Sequence, residues 1–363
     1  MSREIIEIDG SYLEGGGQIL RMSLALSAIQ GKSVKVINIR AGRPKPGLMP
    51  QHLSGLLLGR DICNGKLDGG VQGSTEMTLI PGKITGGEHL ADTKTAGSVM
   101  LLVQAVYLCT LYGNESSHVV MRGGTDADFA PPVDYTIEIF RKISSKFGAN
   151  FDILLNRRGF YPRGSGEVIF KASPVKSKLN AVEMVDVGKV KAIRGRAYVA
   201  GKLPIHVAQK MVDEAKRILM ECFGDAQFDI KSIKEDQQKA FGNGSGIVLW
   251  AETSTGCILG GSSVGKPNKD AYTNGRDAAE IIIKAFNAGA CLDHYAQDQV
   301  VILMALAEGK SRFRVGEITN HTKTAIFVAE KLTKAKFCIN DHEKGSSIIE
   351  CDGVGWDPLN RSG

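Results

Sequence analysis

Three stretches of this chain repeat one order of elements, and that repetition restricts the fold more than any single motif. In the first, apolar spacing predicts a helix over 18–30, a strand over 33–39, a loop over 40–47 and a helix over 51–63. In the second, a helix over 96–111 leads to a strand over 118–121, a loop over 122–132 and a helix over 133–147. In the third, a helix over 293–307 leads to a strand over 311–315, a loop over 316–320 and a helix over 321–332. Alternating strand-like segments close each unit: 76–80, then 150–155 with 167–171, then 336–339 with 347–351. Helix, strand, helix and hairpin argue for a small sheet covered by two helices in each unit. Residue identity between the units is poor, so the repeat is one of pattern. Residues 185–267 break the rhythm with a strand over 190–199, a long helix over 205–222 and a strand over 247–253. They read as a smaller α/β domain inserted before the third unit, left through the Gly-, Ser-, Lys- and Asn-rich segment 260–274. The expected fold class is α+β. Units one and two fill 1–184, the insertion 185–280 and unit three 281–363.

Charge and cysteine usage narrow the function. A net charge of +6 permits a polyanionic partner without demanding one. The seven cysteines form no CxxC pair, which argues against a disulfide framework and a structural zinc site. A reducing compartment is expected. The opening residues carry no apolar signal region, and no 18-residue apolar run exists, so an intracellular protein that does not span a membrane is expected. No protein partner can be inferred.

Chemistry concentrates in loops that follow strands or open helices. Glu14-Gly15-Gly16-Gly17-Gln18-Ile19-Leu20-Arg21 sets a carboxylate, three bare amides, an amide side chain and a guanidinium at the head of a helix. Such a turn can receive an anion, and Glu14 would welcome a metal-bound phosphate rather than a bare one. A tight turn with a solvated Glu14 is the competing reading. In 40–47, Arg40, Arg43 and Lys45 surround two prolines that fix where the cations point, which suits phosphate contact or a solvated basic turn. In 123–132, Asp126 and Asp128 could bind metal, cap a helix or make turns, and Phe129-Ala130-Pro131-Pro132 could wall a flat base. In 156–166, Arg157, Arg158 and Arg163 interleave with Phe160 and Tyr161, a pattern for unpaired nucleotides or an ordinary hairpin. Tyr295, Asp298 and Gln299 share one helix face. His321 opens the next helix, where the terminus lowers an imidazole's pKa and attracts anions, so it could be a neutral nucleophile close to a phosphate. An ordinary surface histidine is the alternative. The other six histidines have no comparable setting.

Taken together these loops resemble the RNA 3′-terminal phosphate cyclases. The matching words are Asp9-Gly10, the Glu14–Arg21 segment, Ile39 through Leu48, Gly123-Gly124-Thr125-Asp126, Ala130-Pro131-Pro132, Arg158 through Gly166, Asp298-Gln299 and the His321 helix. They span nearly the whole chain in family order. The resemblance implies a large domain of three βαβαββ-type repeats, each like the C-terminal domain of a bacterial translation initiation factor, with a small inserted domain. It implies that ATP adenylylates His321, that AMP passes to an RNA 3′-phosphate, and that the neighbouring 2′-hydroxyl closes a 2′,3′-cyclic phosphate. By the same resemblance Gln104, Pro131, Tyr295, Asp298 and Gln299 form the nucleotide pocket. Glu14 and Gln18 line the phosphate site, with Glu14 the ligand of a divalent metal, magnesium or manganese. Arg21, Arg40 and Arg43 hold phosphates, and Arg157, Arg158 and Arg163 are offered to RNA on charge alone. Likeness to eukaryotic members implies the nucleoplasm, with the cytoplasm as the alternative. A ribosome-biogenesis branch of the same fold lacks the nucleophilic histidine and departs from the glycine word, both intact here. An enolpyruvyl transferase would need different phosphate-binding words.

Overall fold

A computed structural model describes residues 4–359. The first sheet takes β1 (Ile5–Asp9), β2 (Ser33–Ile37), β3 (Lys66–Asp68) and β4 (Met77–Ile80), with α1 (Gly17–Gln30) and α2 (Pro50–Ile62) between its strands. The second takes β5 (Gly87–Asp92), β6 (Ser117–Gly123), β7 (Phe151–Gly159) and β8 (Gly166–Ala172). Its helices are α3 (Val99–Leu111) and a broken helix, α4 (Val133–Tyr135) and α5 (Arg141–Lys146), joined by a π turn over Thr136–Phe140. Strand order is β1-β2-β4-β3 in the first sheet, and β5-β6-β8-β7 forms the body of the second. In both, the first pair is parallel and the later pairs antiparallel.

The first strand of the third sheet, β9 (Glu183–Met184), precedes a separate layer rather than following it. That layer holds β10 (Val190–Ala200), α6 (Ile205–Phe223), β11 (Gln227–Lys234), β12 (Ala240–Phe241), β13 (Gly244–Thr253), β14 (Ile258–Val264) and α7 (Ala271–Asn287). The chain then returns through α8 (His294–Leu306), β15 (Glu308–Val315), α9 (Asn320–Leu332), β16 (Lys336–His342) and β17 (Ser346–Val354), giving the order β16-β17-β15-β9.

The layer has its own core. Ala208, Met211, Val212, Ala215 and Leu219 recur at helical spacing on α6 and meet Ile247, Leu249, Ala278, Ala279 and Ile282. Three of these, Ala278, Ala279 and Ile282, come from α7, which runs from Ala271 to Asn287. Gly275 admits the close approach of α6 and α7, since a Cβ there would lie 2.2 Å from the Met211 carbonyl oxygen. β12 leaves the layer to pair with Arg158 and Gly159 of β7. This stitches the layer to the second sheet. Among the described residues no helix is long and apolar enough to cross a membrane.

α3 is apolar around nearly its whole circumference and is buried accordingly. It lies against α1 and α2. α1 also packs on α9, which packs on α8. The N-termini of α1 at Gly17 and α9 at Asn320, far apart in sequence, are thereby brought together.

Candidate active site

The glycine turn is shaped by its own backbone. The carboxylate of Asp9 accepts from the Ser11 amide (2.9 Å), the Ser11 hydroxyl (2.7 Å) and Asn38 Nδ2 (3.2 Å). Those bonds, led by the Ser11 amide, hold its pKa below the usual carboxylate range. Gly10 donates to the Ile37 carbonyl, and Gly15 turns the chain at φ +54°. Gly16 caps α1 with no side-chain bond. The first amides of α1 are therefore not claimed by a capping side chain, unlike those of α9, where Thr319 Oγ1 accepts from the Thr322 amide at 3.0 Å.

Tyr12 stacks on Phe327 of α9, ring centres 4.1 Å apart, and this fastens the turn to the helix carrying His321. Glu14 Oε2 then lies 3.3 Å from His321 Nε2 and 3.6 Å from an Arg43 terminal nitrogen. The protein packed around one side of the imidazole pushes its pKa below 6.5. Glu14 opposes that shift, and Arg21 and Arg43 reinforce it. His321 is thus a largely neutral ring at neutral pH.

Arg21 reaches from α1 into the same space. It donates to Gln18 Oε1 at 2.6 Å, so buried Gln18 sets its direction. Its Nε is out of reach of solvent and has no hydrogen-bond partner. Burial pulls the guanidinium down to about 10 against the charge of Asp298. Asp298 is pushed up to about 7, by burial first and with Arg21 opposing. Arg40 repeats the pattern: its Nε is also buried and unpartnered, and burial and then Arg43 lower its pKa. Two guanidinium groups with spare donors beside uncapped helix amides are suited to an anion.

On α8, Tyr295 sits edge-on to Tyr135, 5.2 Å between ring centres. Gln299 donates to the Tyr295 carbonyl while its own Oε1 is buried without a partner. Pro131 is buried in the loop leading to Tyr135. Gln104 is half-buried on α3, beside Leu101 and Ala105, which line the narrow gap between Arg21 and His52. Glu14, Gln18, Arg21, Arg43 and His321 thus form one cluster joined to Asp298 through Arg21, and Tyr295, Gln299, Gln104 and Pro131 lie on the elements around it.

The sequence reading passed over two residues. His52 stands beside Gly17, where a Cβ would lie 2.6 Å from His52 Nε2. Its Nδ1 accepts from the Met49 amide, and burial, then Arg21 and Arg40, push its pKa down to about 4. The Pro50-Gln51-His52 helix start directly after the basic loop was the available signal. Gln297 accepts from the Thr319 amide (3.0 Å) and the Thr322 hydroxyl (2.6 Å) and donates to the Glu317 carbonyl (3.2 Å). It therefore clamps the start of the His321 helix onto α8. Only side-chain position reveals it.

One reading is corrected. Arg158 cannot reach RNA, because its side chain is 2% exposed. It bonds Asp134 and Glu235 at 2.6 Å each, lies 3.5 Å from Asp126 and covers the Tyr198 ring at 3.8 Å. Asp126, weighed for metal, capping or a turn, also accepts from the Thr125 and Tyr198 hydroxyls. Buried charge demands such partners, and they come from distant segments.

A histidine against a carboxylate, with Arg21 and Arg43 beside it at the glycine turn, is an arrangement suited to an anion. A family model described as RNA 3′-terminal phosphate cyclase matches residues 12–339. An RNA 3′-terminal phosphate cyclase of Drosophila melanogaster is 42% identical over 354 residues, 98% of each chain. One of Pyrobaculum aerophilum is 40% identical over 351 residues, 97% of this chain and 99% of its own. One of Pyrococcus furiosus is 42% identical over 330 residues, 90% and 93%. The chain belongs to the RNA 3′-terminal phosphate cyclase family and is an enzyme of that class.

Proposed function

We propose that the chain converts an RNA 3′-phosphate to a 2′,3′-cyclic phosphate at the expense of ATP, through AMP carried on His321. The observation that carries this reading is the His321 imidazole 3.3 Å from Glu14, with Arg21 and Arg43 as the cations acting on it. A phosphate monoester has a poor leaving group, and adenylylation supplies AMP as a better one. In the first step the imidazole nitrogen forms a bond to the α-phosphorus of ATP, and the bond to pyrophosphate breaks. Arg21, Arg40 and Arg43 offset the charge gathering on the oxygens. In the second, an oxygen of the RNA 3′-phosphate attacks that phosphorus and the P–N bond returns its electron pair to the ring. In the third, the ribose 2′-oxygen loses its proton and attacks the terminal RNA phosphorus, and AMP leaves. Tyr295, Asp298, Gln299, Gln104 and Pro131 form the nucleotide pocket in this reading.

Glu14 suits a divalent ion as a single carboxylate ligand. Among the described residues no three His, Cys, Asp or Glu gather as a metal site, so magnesium or manganese there would take its other ligands from the triphosphate. Bound so, the ion would offset charge as pyrophosphate departs.

The test is incubation with α-labelled ATP and magnesium in the absence of RNA. Acid-labile, alkali-stable label on the wild-type chain, missing from His321→Ala, is the expected result. A folded protein that binds ATP and takes no label would refute the histidine intermediate.

A further inference from the structure

A second cationic surface lies outside this cluster. A groove of about 440 Å3 is lined by Lys94, Arg122, Arg157 and Arg163, with Thr95 and Ser165 between them and Asp92 and Glu167 as its two carboxylates. The acids do not silence it. Lys94 pairs with Asp92 at 2.9 Å and Arg122 with Glu167 at 2.8 Å. Arg157 spends its Nε on the Ser165 carbonyl at 2.9 Å, and the Arg163 side chain stands exposed at the hairpin tip. Two cations therefore remain in excess. Next to Arg163, Tyr161 offers a ring that is 84% exposed.

The floor is built from close backbone. A Cβ on Gly164 would lie 2.4 Å from the Thr95 carbonyl oxygen, and one on Gly166 2.7 Å from Thr125 Cγ2. A chain of contacts links this floor to the active site. Gly124 donates to the Gly97 carbonyl, the Ser98 amide donates to Gln51 Oε1 at 2.6 Å, and His52 follows Gln51 beside Arg21. Strain marks the path. Among the described residues, Leu13, Arg40, Lys94, Phe129 and Ser165 are the positive-φ residues that are neither Gly nor Asn. All five lie in the glycine turn, the basic loop, the groove or the loop following Arg122.

We propose that this groove holds the single-stranded RNA immediately upstream of the reacting 3′ end, with Lys94, Arg157 and Arg163 on phosphates and Tyr161 stacked on a base. The assignment rests on the cyclase reading above. Spaced cations with an exposed ring match a flexible strand, which offers phosphates and base faces together. Arg158, the deepest arginine of the hairpin, takes no part because its carboxylates consume it.

The test compares two substrates with 3′-phosphates, a 20-nucleotide single-stranded RNA and a dinucleotide, using Lys94→Glu/Arg163→Glu and Tyr161→Ala. Expected for the double variant is a loss of at least tenfold in kcat/KM on the 20-mer, carried by KM, with the dinucleotide within twofold. Its salt dependence on the 20-mer should flatten by about 1.4 in log–log slope, two phosphate contacts at about 0.7 each. Tyr161→Ala should lose at least fivefold on the 20-mer alone. Labelling by ATP without RNA should match wild type, which also shows that the variants fold. Equal losses on both substrates, or none on either, would overturn the groove. If wild type itself takes no label, the cyclase reading fails. The groove is then judged by direct binding of the same 20-mer, where affinities equal to wild type in both variants would overturn it.

Discussion

Arg21 and Arg158 are both drawn away from water, and they meet opposite fates. Around Arg158, burial works against the charge, but Asp134, Asp126 and Tyr198 outweigh it and hold the guanidinium well above its ordinary range. Around Arg21, burial prevails and the value falls to about 10, with one amide bond and the more distant Asp298 as compensation. A saturated buried cation fastens segments together: here β7, the loop after β6, and β10 through Tyr198. An unsaturated one has donors to spare, and a protein that retains it bears that desolvation cost for a ligand. Two arginines that look alike in sequence are a rivet and a buried cation with donors to spare.

The comparison can be broken at several points. The largest effect is expected from His321→Ala, which removes the group that Arg21, Arg43 and Glu14 act on. Labelling by ATP and cyclisation should fall by on the order of 10³-fold or more. The unfolding midpoint should stay close to wild type, because the ring is exposed on one side. A variant that still cyclises would remove His321 from the mechanism.

Arg158→Ala should act on stability. It leaves buried Asp126 without its cation and Asp134 with Arg196 alone, at about 3–5 kcal/mol. Urea unfolding followed by circular dichroism measures it, and a loss below about 1 kcal/mol would show the network to be dispensable. Arg21→Ala should do the reverse. Labelling should drop by about 10- to 100-fold through loss of charge-assisted phosphate contacts. Stability should change by less than about 1 kcal/mol or rise, since no carboxylate is fully stranded. A large stability loss for Arg21→Ala would make the two arginines equivalent.

The smallest effect concerns His52. Its folded pKa of about 4 lies below the ordinary 6.5, so the unfolded chain takes up the proton first as pH falls. Stability from this group is full above pH 6.5 and is lost between 6.5 and 4. His52→Asn should flatten the pH dependence of the unfolding midpoint within that window and leave it unchanged at pH 8. An unchanged slope would mean that the ring is not held neutral by its burial and by Arg21 and Arg40.

Much of this protein was legible before any coordinates. Helix positions such as Gly17–Gln30 and Asn320–Leu332 came within a residue or two of their apolar periodicity, because burial of one face is a local property of spacing. The gathering of the glycine turn, the basic loop and His321 was pointed to by residue type as well, since glycine turns and arginine-proline loops advertise themselves. The roles of the arginines were not. Nothing local separates Arg158 from Arg163. One meets Asp134 on α4 of its own unit, and Glu235 and Tyr198 only because they come from a layer encoded tens of residues later, while the other ends at a hairpin tip in water. Likewise His52 looked ordinary until α1 and α2 placed it against Gly17 and Arg21. Sequence by itself determined which groups this chain carries and which elements bear them. Tertiary structure decided which charges are compensated, because desolvation depends on neighbours that the chain brings in from far away.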